Sequence, residues 1–243
     1  MYLRTIRIKI IQFLINRNES LIFYPRLKKY YKSILNNKNI LILDVGVNKG
    51  QSIDFFHTIN SSIQVIGFEP NYKMFDFLVK KYRYNKNIQL FQNGISSKKG
   101  NLIFNENIMD ETSTFETVNT NSIYLKKKAS ILGLKNTDEL ILNRYEVEVI
   151  SLSDFLDENH IKHIDVLKVD TEGHEYDCLL GLFQKKMDCK IDFIQLESHN
   201  DDMYLKKNEN AINDLLEQNN FIIDARIQHG FGEIEELIFK RKK

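Results

Sequence analysis

Short apolar runs and stretches with helical spacing alternate along most of this chain. The apolar runs are bounded by glycine, asparagine or charged residues, as buried strands usually are. They predict strands at residues 40–43, 63–68, 88–92, 147–152, 164–169, 191–196, 221–225 and 236–239. Helical spacing predicts a helix that starts at Gln51 and others over 72–84, 154–159 and 205–218. Strands that alternate with helices indicate an α/β protein.

The first part of the chain has a different pattern. Apolar residues at helical spacing over residues 2–16 are interleaved with Arg4, Arg7 and Lys9, which predicts an amphipathic basic helix. Pro25 predicts the start of a second helix over 26–35, because proline is favoured at the first helical position. We expect an N-terminal helical cap over residues 1–37 and one domain over residues 38–243.

Two interpretations of the first helix remain open. Its apolar part is too short and too interrupted to cross a bilayer or to serve in export. In the first, the helix packs on protein, either on its own domain or on a second subunit of a homo-oligomer. In the second, it docks on the inner face of an anionic membrane.

Residues 106–145 interrupt the regular pattern. Gly100, between two short extended runs, predicts a hairpin just before this stretch. The stretch itself is weakly patterned, with a basic helix at 123–134 as its clearest element. A long insertion of this kind in a compact domain is usually a lid or a binding loop, so we expect it to select the substrate.

A strand, a tight turn and a helix start follow one another between Leu41 and Gln51. Asp44 ends the apolar run, and Gly46 and Gly50 precede the helix. Glycines in such a turn let a ligand lie against bare backbone, and the first helical amides attract an anionic or ribose-bearing group. The dinucleotide fingerprint needs a different glycine spacing, so the pattern disfavours NAD.

Acidic residues stand where later predicted strands end. Glu69 follows the second strand, nineteen residues beyond Gly50, where an acid in a doubly wound sheet accepts hydrogen bonds from ribose hydroxyls. The alternative is an acid that only favours the start of the next helix. Two further polar clusters, 170–175 and 197–200, follow neighbouring predicted strands, which implies one shared pocket.

Four segments of the chain, taken in their order along the sequence, resemble motifs of the FkbM-type family of S-adenosylmethionine-dependent methyltransferases. They are Asp-Val-Gly-Val-Asn-Lys-Gly-Gln at 44–51, Gly-Phe-Glu-Pro at 67–70, and the segments 149–155 and 164–175. The resemblance implies an α/β, Rossmann-like, doubly wound seven-stranded class I methyltransferase sheet with N-terminal helices, and S-adenosylmethionine as cofactor. It implies cofactor contacts at Asp44, Gly46, Asn48, Gly50, Gln51, Glu69, Pro70, Asn93, Gly94 and Asp170.

Many members of the family methylate hydroxyls, so the resemblance implies a sugar, a glycan or a related small metabolite as acceptor. A hydroxyl must lose its proton, which requires a base or a metal. The candidate catalytic residues are Asp170, Glu172, His174 and Glu197, with Asp170 or Glu175 pairing with His174. Asp170, Glu172 and Glu197 would also suit Mg²⁺, although no dedicated metal motif is present.

Composition narrows the alternatives. A formal net charge of +1 and the lack of a basic stripe with aromatics disfavour nucleic acid as partner. Two cysteines without metal-ligand spacing fit a cytoplasmic protein. A cofactor-binding module without catalysis and a nucleotide-sugar oxidoreductase remain as other functions.

Overall fold

The computed structural model describes residues 2–35, 39–109, 112–186, 188–199, 202–205, 208–230 and 234–242. The side chains of residues 2–5 and of residue 199 are outside this description. The boundary expected between residues 37 and 38 also lies outside the described residues.

Seven of the described strands form one sheet. They are β1 (Leu41–Val45), β2 (Gln64–Phe68), β3 (Ile88–Phe91), β7 (His163–Val169), β8 (Lys190–His199), β9 (Phe221–Gln228) and β10 (Ile234–Arg241). Their order is β3-β2-β1-β7-β8-β10-β9. Neighbours from β3 to β8 are parallel, whereas β10 runs antiparallel to β8 and β9. The carboxyl ends of β1, β2, β7 and β8 therefore lie along one edge.

Helices cover both faces of this sheet. They are α3 (Gln51–Ile59), α4 (Tyr72–Tyr82), α6 (Leu152–Glu158), α7 (Glu175–Phe183) and α8 (Glu209–Gln218). Alternate residues of β1 enter different cores: Leu43 packs with residues of α6, α7 and α8, and Ile42 packs with residues of α3 and α4. The Rossmann-like doubly wound sheet expected from the sequence is confirmed.

A second sheet has three strands, in the order β4-β6-β5. It consists of β4 (Gly94–Ile95), β5 (Gly100–Asn107) and β6 (Ile141–Ile150), and α5 (Ile123–Leu132) lies in the insertion between β5 and β6. The hairpin predicted around Gly100 is wrong, because β5 pairs antiparallel with β6 across that insertion. The local pattern indicates an extended chain but does not identify its distant partner.

The N-terminal helices form one continuous run. This run consists of α1 (Tyr2–Asn18), a π-helical segment (Glu19–Phe23) and α2 (Tyr24–Ile34). Pro25 lies in the first turn of α2, so the predicted second helix is confirmed with a start two residues earlier, and it follows α1 and the π-helical segment without a break. Proline has no backbone N–H and cannot donate a helical hydrogen bond. The wider π-helical turns lie just before Pro25, where this donor is missing.

The two parts of this run pack differently. Phe23, Leu27 and Tyr31 are buried on the face of the sheet that also carries α3. In α1, Ile10 and Phe13 of the predicted apolar stripe are exposed, while Ile8 and Ile11 pack against the insertion. Among the described helices, none is both long enough and apolar enough to span a membrane.

Candidate active site

The turn after β1 has an unusual backbone. Gly46, Asn48 and Gly50 have φ values of 87°, 51° and 81°. A β-carbon on Gly46 would lie 1.8 Å from the carbonyl oxygen of Asp170, and one on Gly50 would lie 2.3 Å from the hydroxyl of Tyr82. The sequence suggested that both glycines leave room for a ligand. The structure shows instead that protein atoms fill this space, so the glycines serve chain geometry and close packing.

Glu69 joins this turn to the end of β2. Its side chain is buried, and its two carboxylate oxygens accept hydrogen bonds from the amides of Asn48 (2.7 Å) and Asn71 (2.8 Å). The side chain of Asn71, not that of Glu69, caps α4 by accepting from the amide of Lys73 (3.0 Å). A carboxylate oxygen can accept more than one hydrogen bond, and binding of a ribose by Glu69 stays a prediction.

A row of polar side chains crosses the middle of the sheet. Asp44, Lys168 and Gln195 are register partners on β1, β7 and β8, so they share one face. Asp44 accepts a hydrogen bond from the hydroxyl of Ser52, and Gln195 accepts one from Tyr31 of α2. The sheet is therefore polar at its centre, beneath the N-terminal helices.

Lys168 is the buried cation of this row. Its ammonium lies 2.7 Å from Oδ2 of Asp170. Burial lowers the pKa of Lys168, but the nearby carboxylates of Asp170, Asp44 and Glu236 outweigh it, so the net pKa lies above the ordinary value. Burial raises the pKa of Asp44, with Lys168 and Ser52 opposing. Asp170 is thus tied to the sheet by an ion pair.

The carboxylates of Asp170, Glu172 and Glu197 converge at the edge of the sheet, with one oxygen of each within 4.8 Å of the others. Glu172 has a φ of 54° and accepts a hydrogen bond from the hydroxyl of Tyr204 at 2.9 Å. The three oxygen groups proposed for Mg²⁺ are therefore close together, and binding of Mg²⁺ stays a prediction.

One cavity of about 1100 Å³ connects these groups. Its wall includes most of the predicted site residues: Gly46, Asn48, Gln51, Glu69, Pro70, Asn93, Gly94, Asp170, Glu172 and Glu197. Asp44, Gly50 and His174 are not on this wall. Residues of the N-terminal helices and of the insertion complete it, among them Ile11, Tyr24, Met109, Phe115 and Tyr124.

The model of the Methyltransferase FkbM domain matches residues 44–230, which is most of the chain. The chain belongs to the FkbM methyltransferase family. Methyl transfer is therefore its chemistry. The matched region begins at Asp44 and contains the glycine turn and all the predicted catalytic residues.

Several solved structures are similar to this FkbM-family methyltransferase at low sequence identity. A Clostridium thermocellum protein named as an rRNA methylase has a TM-score of 0.50 and 10% identity over 91% of this chain and 97% of its own. An S-adenosylmethionine-dependent methyltransferase from Aquifex aeolicus has a TM-score of 0.49 and 13% identity over 96% of each chain. TrmK of M. capricolum, solved with S-adenosylhomocysteine, has a TM-score of 0.45 and 12% identity over 89% of this chain and 68% of its own. No curated protein matches the sequence significantly.

His174 of the methyltransferase has a different partner from the one predicted. Its Nδ1 lies 2.7 Å from Oε1 of Glu116, and its Nε2 lies 3.0 Å from the hydroxyl of Ser96. Glu175 instead accepts hydrogen bonds from the amides of Thr171 and Gly173 at 2.9 and 3.2 Å. The predicted pair of His174 with Asp170 or Glu175 is wrong. Buried beside the insertion, His174 is better placed to hold the insertion against α7 than to move a proton.

Several charged groups on the cavity wall were not singled out from the sequence, among them Lys168, His229 and Glu236. A signal existed for Lys168 and Glu236, because a charge inside an apolar strand is rarely buried unless it is paired. His229 had no such signal, since it follows β9 in a polar segment. In the second predicted cluster, the side chain of His199 and all of Asn200 lie outside the described residues.

Proposed function

We propose that this methyltransferase uses S-adenosylmethionine to methylate a hydroxyl of a sugar, a glycan or a related small metabolite in the cytoplasm. One observation carries the proposal. The glycine turn with Glu69 and the carboxylates of Asp170 and Glu197 line the same cavity. A donor held at the turn and an acceptor held at the carboxylates would meet within it.

Glu69 supports the donor assignment. Two backbone amides, one of them from the turn itself, fix its carboxylate on the cavity wall next to Pro70. A fixed acid at the end of the second strand is suited to the two hydroxyls of a ribose. Asn93 and Gly94 lie on the same wall, at the end of β3, and are candidates for adenine contacts.

The carboxylates support an oxygen acceptor. A sugar hydroxyl is a poor nucleophile, and proton removal by a positioned base speeds its reaction. Asp170, which Lys168 holds in place, is our leading candidate for the base, and Glu197 is the second. The remaining task of the protein is to orient the donor and the acceptor and to exclude water.

The charge of the cavity favours a small acceptor over nucleic acid. Among the described residues on its wall, seven are acidic and four are lysines. An acidic wall repels a phosphodiester backbone, whose binding depends on cationic side chains. We propose further that the insertion selects the acceptor, since Met109, Phe115 and Tyr124 face the cavity.

Two measurements test the proposal. Calorimetric titration should detect binding of S-adenosylmethionine and none of NAD. In the second, the protein is incubated with methyl-labelled donor and with matched sugars, some with hydroxyls only and some with an added amine. We expect release of S-adenosylhomocysteine, and NMR should detect O-methyl products. Donor binding without turnover across a broad panel would favour a non-catalytic module, and exclusive N-methylation would contradict the hydroxyl acceptor.

A further inference from the structure

We propose that Glu197, His229 and Glu236 form a binding site for one divalent transition-metal ion on the wall of the cavity. One ligand atom from each lies within 4.8 Å of the other two. Glu197 on β8 and Glu236 on β10 are register partners, so their side chains leave the sheet on the same face. His229 follows β9 directly, and its amide donates to the carbonyl of Ile234 on β10 (3.1 Å).

Two buried atoms of this group lack hydrogen-bond partners among the described residues. They are Nε2 of His229 and Oε2 of Glu236. The side chains are 10% and 4% exposed, and Nε2 of His229 lies 3.8 Å from Oε1 of Glu236, too far for a hydrogen bond. Unsatisfied buried polar atoms are costly. A cation between them would satisfy both.

Glu19 orients the histidine as metal sites require. Its Oε1 lies 2.8 Å from Nδ1 of His229, so the carboxylate holds the ring from the side opposite Nε2. Histidines that bind metals commonly donate their second ring N–H to a carboxylate in this way, which directs the other nitrogen to the ion. Phe23 stacks on the ring, with centroids 4.0 Å apart. Both supporting residues come from the π-helical segment.

The other histidine clusters are less suited to an ion. His174 has a partner at each ring nitrogen, and His163 is half-exposed and lies 2.8 Å from Asp192. One imidazole with two carboxylates suits Mn²⁺, Fe²⁺ or Zn²⁺ better than Mg²⁺, which prefers oxygen ligands.

The role of the ion rests on the proposed function, whereas its binding does not. An ion at Glu197 would face the part of the cavity assigned to the acceptor, where it would make a hydroxyl easier to deprotonate. The imidazole and the carboxylates must be deprotonated to bind the ion, so binding is best measured at mildly alkaline pH.

The test uses the full-length protein after removal of metals with a chelator. Calorimetry with MnCl₂ and ZnCl₂, and electron paramagnetic resonance with Mn²⁺, should show one bound ion per chain. His229→Gln and Glu236→Gln should lower the affinity at least tenfold, and Glu19→Gln by roughly 10- to 100-fold. His163→Gln removes a histidine from a separate acidic group and should leave the affinity unchanged.

Failure of the wild-type protein to bind either metal would overturn the site, and so would equal losses in His163→Gln and His229→Gln. Circular dichroism without metal checks the fold of each variant. If His229→Gln does not fold, the metal affinities of Glu236→Gln and Glu19→Gln test the site instead. A protein that binds the ion but methylates no hydroxyl contradicts the proposed function and leaves the site in place.

Discussion

Gly46 and Asp170 touch through their backbones at the centre of the site, so closely that a β-carbon on Gly46 would lie 1.8 Å from the carbonyl oxygen of Asp170. The amide of Asp170 also donates to the carbonyl of Val45 at 3.0 Å. The turn assigned to the donor and the leading candidate for the base are therefore fixed relative to each other by main-chain contacts.

Gly46→Ala should destabilise the protein. The φ of 87° is strained for alanine, and the new methyl group would displace the backbone of Asp170, so we expect a loss of about 3 kcal/mol or more in the free energy of unfolding. Gly100→Ala is the matched control, because nothing lies within 4 Å of its added carbon, and it should raise stability by about 0.5–1 kcal/mol. Urea unfolding measures both; equal effects would contradict the packing argument.

Glu69→Gln should weaken donor binding and also lower stability, because glutamine can accept only one of the two backbone hydrogen bonds that the carboxylate accepts. Hydrogen bonds to a charged group contribute about 1.5–3 kcal/mol, which corresponds to a roughly ten- to hundredfold higher dissociation constant for S-adenosylmethionine. Glu158→Gln makes the same chemical change on an exposed part of α6 and should have no effect. Calorimetric titration decides, and an unchanged constant in Glu69→Gln would remove Glu69 from the donor site.

Asp170→Asn should lower turnover, whereas His174→Gln should lower stability and raise KM for the acceptor. Loss of a general base lowers turnover by roughly 10²- to 10⁴-fold, so we expect this for Asp170→Asn with donor affinity nearly unchanged. His174→Gln should instead lower thermal stability and raise KM for the acceptor, because His174 holds the insertion through Glu116. Steady-state kinetics with a reactive acceptor separate the two. A larger loss of turnover in His174→Gln would restore the histidine as base.

Lys168→Met should be strongly destabilising at neutral pH. Removal of one partner from a buried ion pair typically costs 3–5 kcal/mol, and Asp44 and Asp170 would lose their nearby cation. The pKa of Lys168 is raised above its ordinary value, so its contribution is complete at pH 7 and is lost only in strongly alkaline solution. Lys185→Met breaks an exposed pair with Asp154 and should change unfolding in urea very little.

Helix α1 presents apolar side chains to solvent, which supports membrane docking. Ile10, Phe13 and Leu14 are 54%, 64% and 55% exposed, and Arg7 and Lys9 lie on the same helix. Phe13→Ser should weaken salt-sensitive binding to anionic vesicles in a sedimentation assay. Phe77→Ser removes an exposed aromatic ring from α4 and should not. If the wild-type protein ignores such vesicles at low salt, the membrane interpretation is wrong.

The sequence by itself determined the features that depend on neighbouring residues. The apolar runs located the strands of the main sheet, because burial on both faces requires a continuous apolar stretch. The turn between Asp44 and Gly50 was recognisable because glycine is favoured where φ is positive. Asp170 and Glu197 were placed in one pocket because parallel strands end at one edge.

Only the tertiary structure decided which distant residues meet. Glu116 reaches His174 from the insertion, β5 finds β6 across that insertion, and Glu19 reaches His229 from the N-terminal helices. Local sequence patterns predict the type of secondary structure and the buried face of an element. They do not predict these contacts, because the contacts depend on how whole elements pack together. For the same reason the glycine of the turn was predictable, but its neighbour, the carbonyl of Asp170, was not.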